Sequence, residues 1–240
     1  MTQPYAAGLA IAVTDRSQVP RDRSLLDVVG AVLEGGAHGV LVRERDLPLE
    51  ARAELVAAVG RLCAAHRALL LVASPVPLPP RAPGRCDRSS VASVDHIDSG
   101  GGRRLGLHLR RDEPVPPTLD RASTRVGRSC HDLAELRRAA EEGLDHVTVS
   151  PVALSASKPG HGPALGRAGL RSLTDVIRSE YSRVPTILAL GGVDRVTAGA
   201  WIAAGADGVA VMGAVMRAAD PAAEMRAVVD SVGAARVGAP

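Results

Sequence analysis

The feature that most constrains this chain is an alternation that runs its whole length. Short apolar or β-branched runs occur at Leu9–Thr14, Gly39–Glu44, Ala68–Ser74, Leu105–Leu109, Thr124–Ser129, His146–Pro151, Thr186–Leu190 and Gly208–Met212. Longer stretches of helical period follow most of them, at Ser24–Glu34, Pro48–Ala65, His131–Gly143, Ala168–Tyr181, Val193–Ala204 and Ala214–Val232. This is the pattern of repeated βα units on a parallel sheet. Several runs are almost continuously apolar, as expected of parallel strands covered on both faces. Leu133, Leu136 and Ala140 fall on one face of their helix and leave Glu141 and Glu142 toward solvent. Gly35-Gly36, Gly143 and Gly205 each supply a helix stop just before the next strand. Eight strands at roughly 30 residues per unit predict an α/β fold, a single (β/α)₈ TIM barrel over residues 1–240. The weak segment is Pro75–Arg103, with five prolines from Pro75 to Pro83 and the run Gly100 to Gly102, so the third βα unit should be irregular.

Composition removes several functional classes. The chain has no Phe, one Trp and two Tyr, so the core must be built from Val, Ile, Leu and Ala. No aromatic platform exists for stacking nucleobases, and the +3 net charge comes from scattered basic residues, so nucleic acid is not expected as a partner. No run of about 18 apolar residues and no secretory leader pattern is present, which predicts a cytoplasmic protein without a membrane partner. Cys63, Cys86 and Cys130 lack C-x-x-C spacing and suggest neither a disulfide framework nor a zinc site. The sequence names no oligomeric interface.

Ligands of such a barrel bind at the carboxyl ends of the strands. There the chain places Asp15-Arg16, Arg43-Glu44-Arg45, Ser74, His108 to Glu113, Ser129-Cys130-His131, Ser155 to Lys158, Gly191-Gly192 and Met212-Gly213-Ala214. Gly191, Gly192, Gly213 and Ala214 follow strands seven and eight, where backbone amides can cradle a phosphate; tight turns are the alternative reading. Lys158 is the sole lysine among 29 basic residues and lies in a loop with Ser155 and Ser157, either as a phosphate ligand or as one surviving surface lysine. Arg43 and Arg45 share one face of strand two and suit an anion clamp, or Arg43 pairs with an internal carboxylate. His131 could move a proton, or only cap a helix. Cys130-His131 as a thiolate pair is the weakest of these readings, since chain neighbours point apart.

At these residues the chain resembles the thiamine phosphate synthase/TenI superfamily over nearly its whole length. The resemblance is carried by Ile11-Ala12-Val13-Thr14-Asp15-Arg16, Leu41-Val42-Arg43-Glu44-Arg45-Asp46, Gly106-Leu107-His108-Leu109, Gly127-Arg128-Ser129-Cys130-His131, Ser155-Ala156-Ser157-Lys158, Leu190-Gly191-Gly192-Val193 and Ala206 to Met212. It implies a (β/α)₈ barrel that acts on a phosphorylated thiazole in thiamine biosynthesis. The synthase branch joins a pyrimidine diphosphate to a thiazole phosphate, holding Mg²⁺ and pyrophosphate with a Gln and a Lys of a Q-x-R-E-K segment, an Asn-Asp pair after strand three and an Asp after strand four. Here those positions read Leu41, Arg45 and Ala73-Ser74, with Glu113 of Arg110-Arg111-Asp112-Glu113 as the remaining carboxylate. Mg²⁺ requires several oxygen ligands in octahedral array, so the departures weaken that site.

The thiazole phosphate half is retained in Lys158, Gly192, Gly213 and Ala214, and Ser129-Cys130-His131 resembles the TenI branch, a thiazole tautomerase with a His base at this position. The expectation is therefore an isomerase that aromatises a carboxythiazole phosphate without a cofactor. In it His131 transfers the proton, Arg43 or Arg45 holds the carboxylate, and Ser129, Ser155, Ser157, Lys158, Gly191, Gly192, Met212, Gly213 and Ala214 bind the substrate and its phosphate. The alternatives are a synthase using Mg²⁺ through Glu113, and a non-catalytic thiazole-phosphate-binding module.

Overall fold

The computed structural model describes residues 8–75, 105–154 and 163–237. Ser155, Ser157, Lys158 and Cys86, with nearly all of the irregular segment expected at Pro75–Arg103, lie outside the described residues. Eight parallel strands close a barrel in sequence order: β1 Leu9–Val13, β2 Gly39–Val42, β3 Leu69–Ala73, β4 Leu105–Leu109, β5 Arg125–Cys130, β6 His146–Val149, β7 Thr186–Leu190 and β8 Gly208–Val211. The last strand pairs with the first through Leu9 and Gly208, Ala10 and Val209, Ile11 and Ala210, and Ala12 and Val211. The fold is the TIM barrel expected from the alternation.

Helices α1 Leu25–Glu34, α2 Leu49–Ala65, α3 Leu133–Glu141, α4 Gly166–Glu180, α5 Ala198–Ala203, α6 Gly213–Met216 and α7 Pro221–Val237 pack outside. Ser24 starts α1 with a capping box: its hydroxyl accepts the Asp27 amide, and the Asp27 carboxylate accepts the Ser24 amide. Two helices differ from the sequence expectation. The helix expected from Val193 begins only at Ala198, because the Asp194 carboxylate accepts the Val196 and Thr197 amides and holds a turn there. The helix expected over Ala214–Val232 is two. Pro221, which cannot continue a helix, opens α7, and the Asp220 carboxylate accepts the Ala223 amide as its cap.

Three βα units share one device for entering a strand. Gly36, Gly143 and Gly205 all have positive φ and end the preceding helix, and two residues later His38, Asp145 and Asp207 each bind a neighbouring strand. His38 Nδ1 accepts the Ala10 amide of β1 at 3.2 Å, Asp145 accepts that of Val126 in β5 at 2.8 Å, and Asp207 accepts that of Ile187 in β7 at 2.8 Å. These bonds satisfy the amides that open β1, β5 and β7 and fix the register from the amino-terminal end.

The core has two shells. Outward-facing strand residues such as Val40, Val72, Leu107, Val147 and Val209 pack against the helices. Inside the barrel, Leu9, Ile11, Val13, Leu41, Leu71, Leu188 and Ala210 fill the side formed by β1, β2, β3, β7 and β8. The remaining side, β4 to β6, is polar. His108 and His146 stack there with ring centroids 5.3 Å apart, and His108 Nδ1 lies 3.2 Å from His146 Nε2. Gly127 of β5 makes the room, since a Cβ at that position would collide with the His146 imidazole. Gly127→Ala is therefore expected to destabilise the protein by about 1–3 kcal/mol, the usual cost of overpacking, read as a fall in melting temperature of a few degrees. An unchanged melting temperature would show that the histidine pair does not fix this side of the barrel.

Candidate active site

Two adjoining cavities open at the carboxyl ends of the strands, and Leu190 lines both. The first, about 230 Å³, lies over β7 and β8 and is lined by Leu154, Gly191, Gly192, Val193, Asp194, Met212, Gly213, Ala214 and Arg217. The sequence expectation for Gly191, Gly192, Met212, Gly213 and Ala214 thus falls on one surface. Gly192 has φ +64°, and a Cβ there would stand 2.7 Å from the Leu154 carbonyl oxygen, so only glycine lets the chain pass this close. The amides of Gly213 and Ala214 open α6 and have no partner within that helix. Leu154 is the last described residue before 155–162, where Ser155, Ser157 and Lys158 belong.

The second cavity, about 250 Å³, sits over β2 to β6 and is lined by Leu41, Arg43, Arg45, Ala73, His108, Arg110, Arg111, Ser129, His131, Thr148 and Ser150 among others. Strand β2 ends at Val42, yet the alternation continues past it: Arg43 and Arg45 face the cavity while Glu44 is buried. Glu44 and Asp46 are both taken up by Arg16, whose guanidinium donates to Glu44 at 3.1 Å and to both oxygens of Asp46 at 2.7 and 2.6 Å. The reading of Arg43 paired to an internal carboxylate therefore falls: among the described residues it has no ion pair. Arg45 donates through Nε to the Ser74 carbonyl at 3.1 Å. Burial, followed by the neighbouring charges of Arg43, Arg110 and Arg52, lowers its pKa to about 10, with Glu113 opposing. The guanidinium stays charged at neutral pH but sits in a crowded positive field.

Beneath the arginines, His108 Nε2 lies 3.1 Å from the Ser129 hydroxyl and 3.4 Å from that of Thr148. Burial, and after it the repulsion a charged ring would meet from a charged His146 and from Arg45, push the His108 pKa well below its ordinary value, so its ring is neutral. His131 stands at the rim, 40% exposed, with Nδ1 2.9 Å from the Glu135 carboxylate. That contact fixes the tautomer with a proton on Nδ1 and leaves Nε2 as the nitrogen available to a ligand. Cys130 is fully buried in the outer core and burial pushes its thiol up to about 12, so it forms no reactive pair with His131.

The Mg²⁺ ligands implied by the family resemblance do not fit. Glu113 accepts from the Ser74 hydroxyl and from the Arg110 amide, and both bonds fall on Oε2. No group of three or more His, Cys, Asp or Glu able to hold a metal occurs among the described residues. The buried Arg52 occupies the end of β3, donating to the carbonyls of Ala73 and Pro75. A divalent cation would meet arginines there in place of carboxylates.

Comparisons with known proteins show the family of the chain. The sequence model of the TMP-TENI family, described as thiamine monophosphate synthase, matches residues 103–215. A thiamine-phosphate synthase of Roseiflexus castenholzii is 32% identical over 231 residues, covering 95% of this chain and 89% of that protein. The chain belongs to the thiamine-phosphate synthase family. A thiamine biosynthesis bifunctional protein of Symbiobacterium thermophilum is 34% identical over 212 residues, 86% of this chain but 38% of that longer protein. The solved thiamine phosphate pyrophosphorylase of Pyrococcus furiosus shares the fold, with a TM-score of 0.68 at 23% identity over 95% of this chain and 96% of that one. Membership places the protein in thiamine biosynthesis, and the relatives carry the synthase name in place of the tautomerase expected from His131. No described helix is long and apolar enough to cross a membrane.

Sequence reasoning missed Arg217, Glu135, Thr148 and Ser150. Thr148 and Ser150 were within reach, because they share the inward face of β6 with His146 at two-residue spacing. Glu135 lies four residues after His131, the spacing that brings side chains together over one helical turn. Arg217 carries no signal before the position of α6 is known.

Proposed function

We propose that the protein is a transferase that joins a pyrimidine carried on a diphosphate to a thiazole phosphate, forming thiamine phosphate and pyrophosphate. The observation that carries this reading is the pair of anion-receptive cavities meeting at Leu190. One presents glycine amides and Arg217, which suit a single phosphate; the other presents Arg43, Arg45, Arg110 and Arg111, which suit a more highly charged group. Two phosphorylated substrates bound side by side would bring their rings together over Leu190 and convert a bimolecular encounter into an oriented one. The thiazole supplies the electron pair of the new bond, the bond to the diphosphate oxygen breaks, and its pair leaves on pyrophosphate. No proton need be removed from either ring by this chain, so His131 is not required as a base. Ser129 and Thr148, tied to neutral His108, would line the floor under the pyrimidine. Formation of thiamine phosphate from the two substrates tests the reading, and its absence in folded protein would overturn it.

The tautomerase is the second reading, favoured by one observation: the His131–Glu135 contact beside the arginines. It explains less, because a substrate with one phosphate and one carboxylate would leave Arg110 and one of Arg43 and Arg45 without an anion. Turnover of carboxythiazole phosphate alone, with no pyrimidine present, would support it over the transferase.

A further inference from the structure

The described residues that would surround a diphosphate offer positive charge where the family resemblance implies a metal. Arg43, Arg45 and Arg110 line one cavity, and among the described residues neither Arg43 nor Arg110 is ion-paired. Arg111 is partly neutralised by Asp112 at 3.0 Å and Glu135 at 3.8 Å. The one carboxylate in the position of a metal ligand, Glu113, is tied to Ser74 and the Arg110 amide, and Arg52 fills the end of β3. We propose that Arg43, Arg45 and Arg110 take the place of the divalent cation, so that this protein binds a diphosphate and neutralises its leaving charge without metal.

The inference rests on the transferase reading for its substrate. A diphosphate needs two to three positive charges and many hydrogen-bond donors, and three guanidinium groups supply both in a fixed fork geometry. A metal ion instead needs carboxylate oxygens, which the described lining of this cavity does not supply, and the arginines would repel it. Burial first, and then the neighbouring guanidinium groups, lower the pKa of Arg45, as expected where cations cluster without a counter-charge.

Calorimetric titration of the full chain with inorganic pyrophosphate, once in EDTA and once in excess Mg²⁺, tests this. The expected result is binding in EDTA at least as tight as in Mg²⁺. Binding seen only with Mg²⁺, or tightened tenfold or more by it, would overturn the proposal. Arg45→Gln and Arg110→Gln should each weaken pyrophosphate binding in EDTA about ten- to hundredfold, the worth of one charge-assisted contact. Arg110 is exposed and its side chain has no hydrogen bond or ion pair among the described residues, so its exchange does not threaten the fold. Unchanged affinity in both variants would place the anion elsewhere and overturn the clamp. Synthase turnover measured in parallel separates the two claims. Turnover and pyrophosphate binding that both demand Mg²⁺ overturn the clamp and leave the transferase; metal-free binding lost in the variants, with no thiamine phosphate formed, upholds the clamp and overturns the transferase.

Discussion

Between pH 6.5 and about 4 the fold is expected to lose about 3 kcal/mol of stability through His146 alone. His146 is fully buried, and burial lowers its pKa from 6.5 to about 4, with Arg125 adding to the shift and Asp145 opposing it. The unfolded chain takes up a proton near pH 6.5 and the folded one does not, so stability is full above 6.5 and falls as the pH drops toward 4. His108 is shifted in the same direction by burial and by His146, and steepens the loss. Charging both rings would set two N–H groups against each other across the 3.2 Å between His108 Nδ1 and His146 Nε2. Urea unfolding at pH 7.5, 6.5, 5.5 and 4.5 measures the effect, and His146→Gln should flatten the profile. A wild-type profile flat from 7.5 to 5.5 would mean that the two rings are solvated in the folded protein.

Gly192→Val should weaken binding of a thiazole phosphate by at least about 100-fold, the loss of two amide contacts to a charged group at about 1.5–3 kcal/mol each. The valine Cβ would press on the Leu154 carbonyl oxygen at 2.7 Å and on Ala153 at 2.8 Å, and the left-handed backbone at φ +64° would be strained. The loop must move, and with it the amides that form the first cavity. Pyrophosphate binding at Arg43, Arg45 and Arg110 should survive, because among the described residues that cavity shares only Leu190 with the first. Titration of the folded variant with each anion separates the effects. An affinity for thiazole phosphate within threefold of wild type would remove the glycine loop from phosphate recognition.

The barrel was legible because most strands are period-two or continuous apolar runs, three of them opening just after a glycine helix stop, and the eight runs lie where the strands form. Helix ends were less so: the turn at Asp194 and the break at Pro221 depend on local side-chain bonds that periodicity does not record. The alternation of Arg43, Glu44 and Arg45 read correctly, since inward and outward positions follow the pleat for three residues past the end of β2. The histidine pair did not read as a pair. Period two places His108 and His146 inside the barrel, but the contact between them spans β4 to β6 across Gly127 and exists only once the barrel closes. His131 turned the reading toward proton transfer, whereas the relatives carry the synthase name.

The central claim is tested most directly by incubating the purified chain with the pyrimidine diphosphate and the thiazole phosphate and following both products. The account predicts thiamine phosphate and pyrophosphate released in equal amounts, with neither formed when one substrate is omitted. No thiamine phosphate from folded protein at saturating substrates, in Mg²⁺ and in EDTA alike, would contradict it.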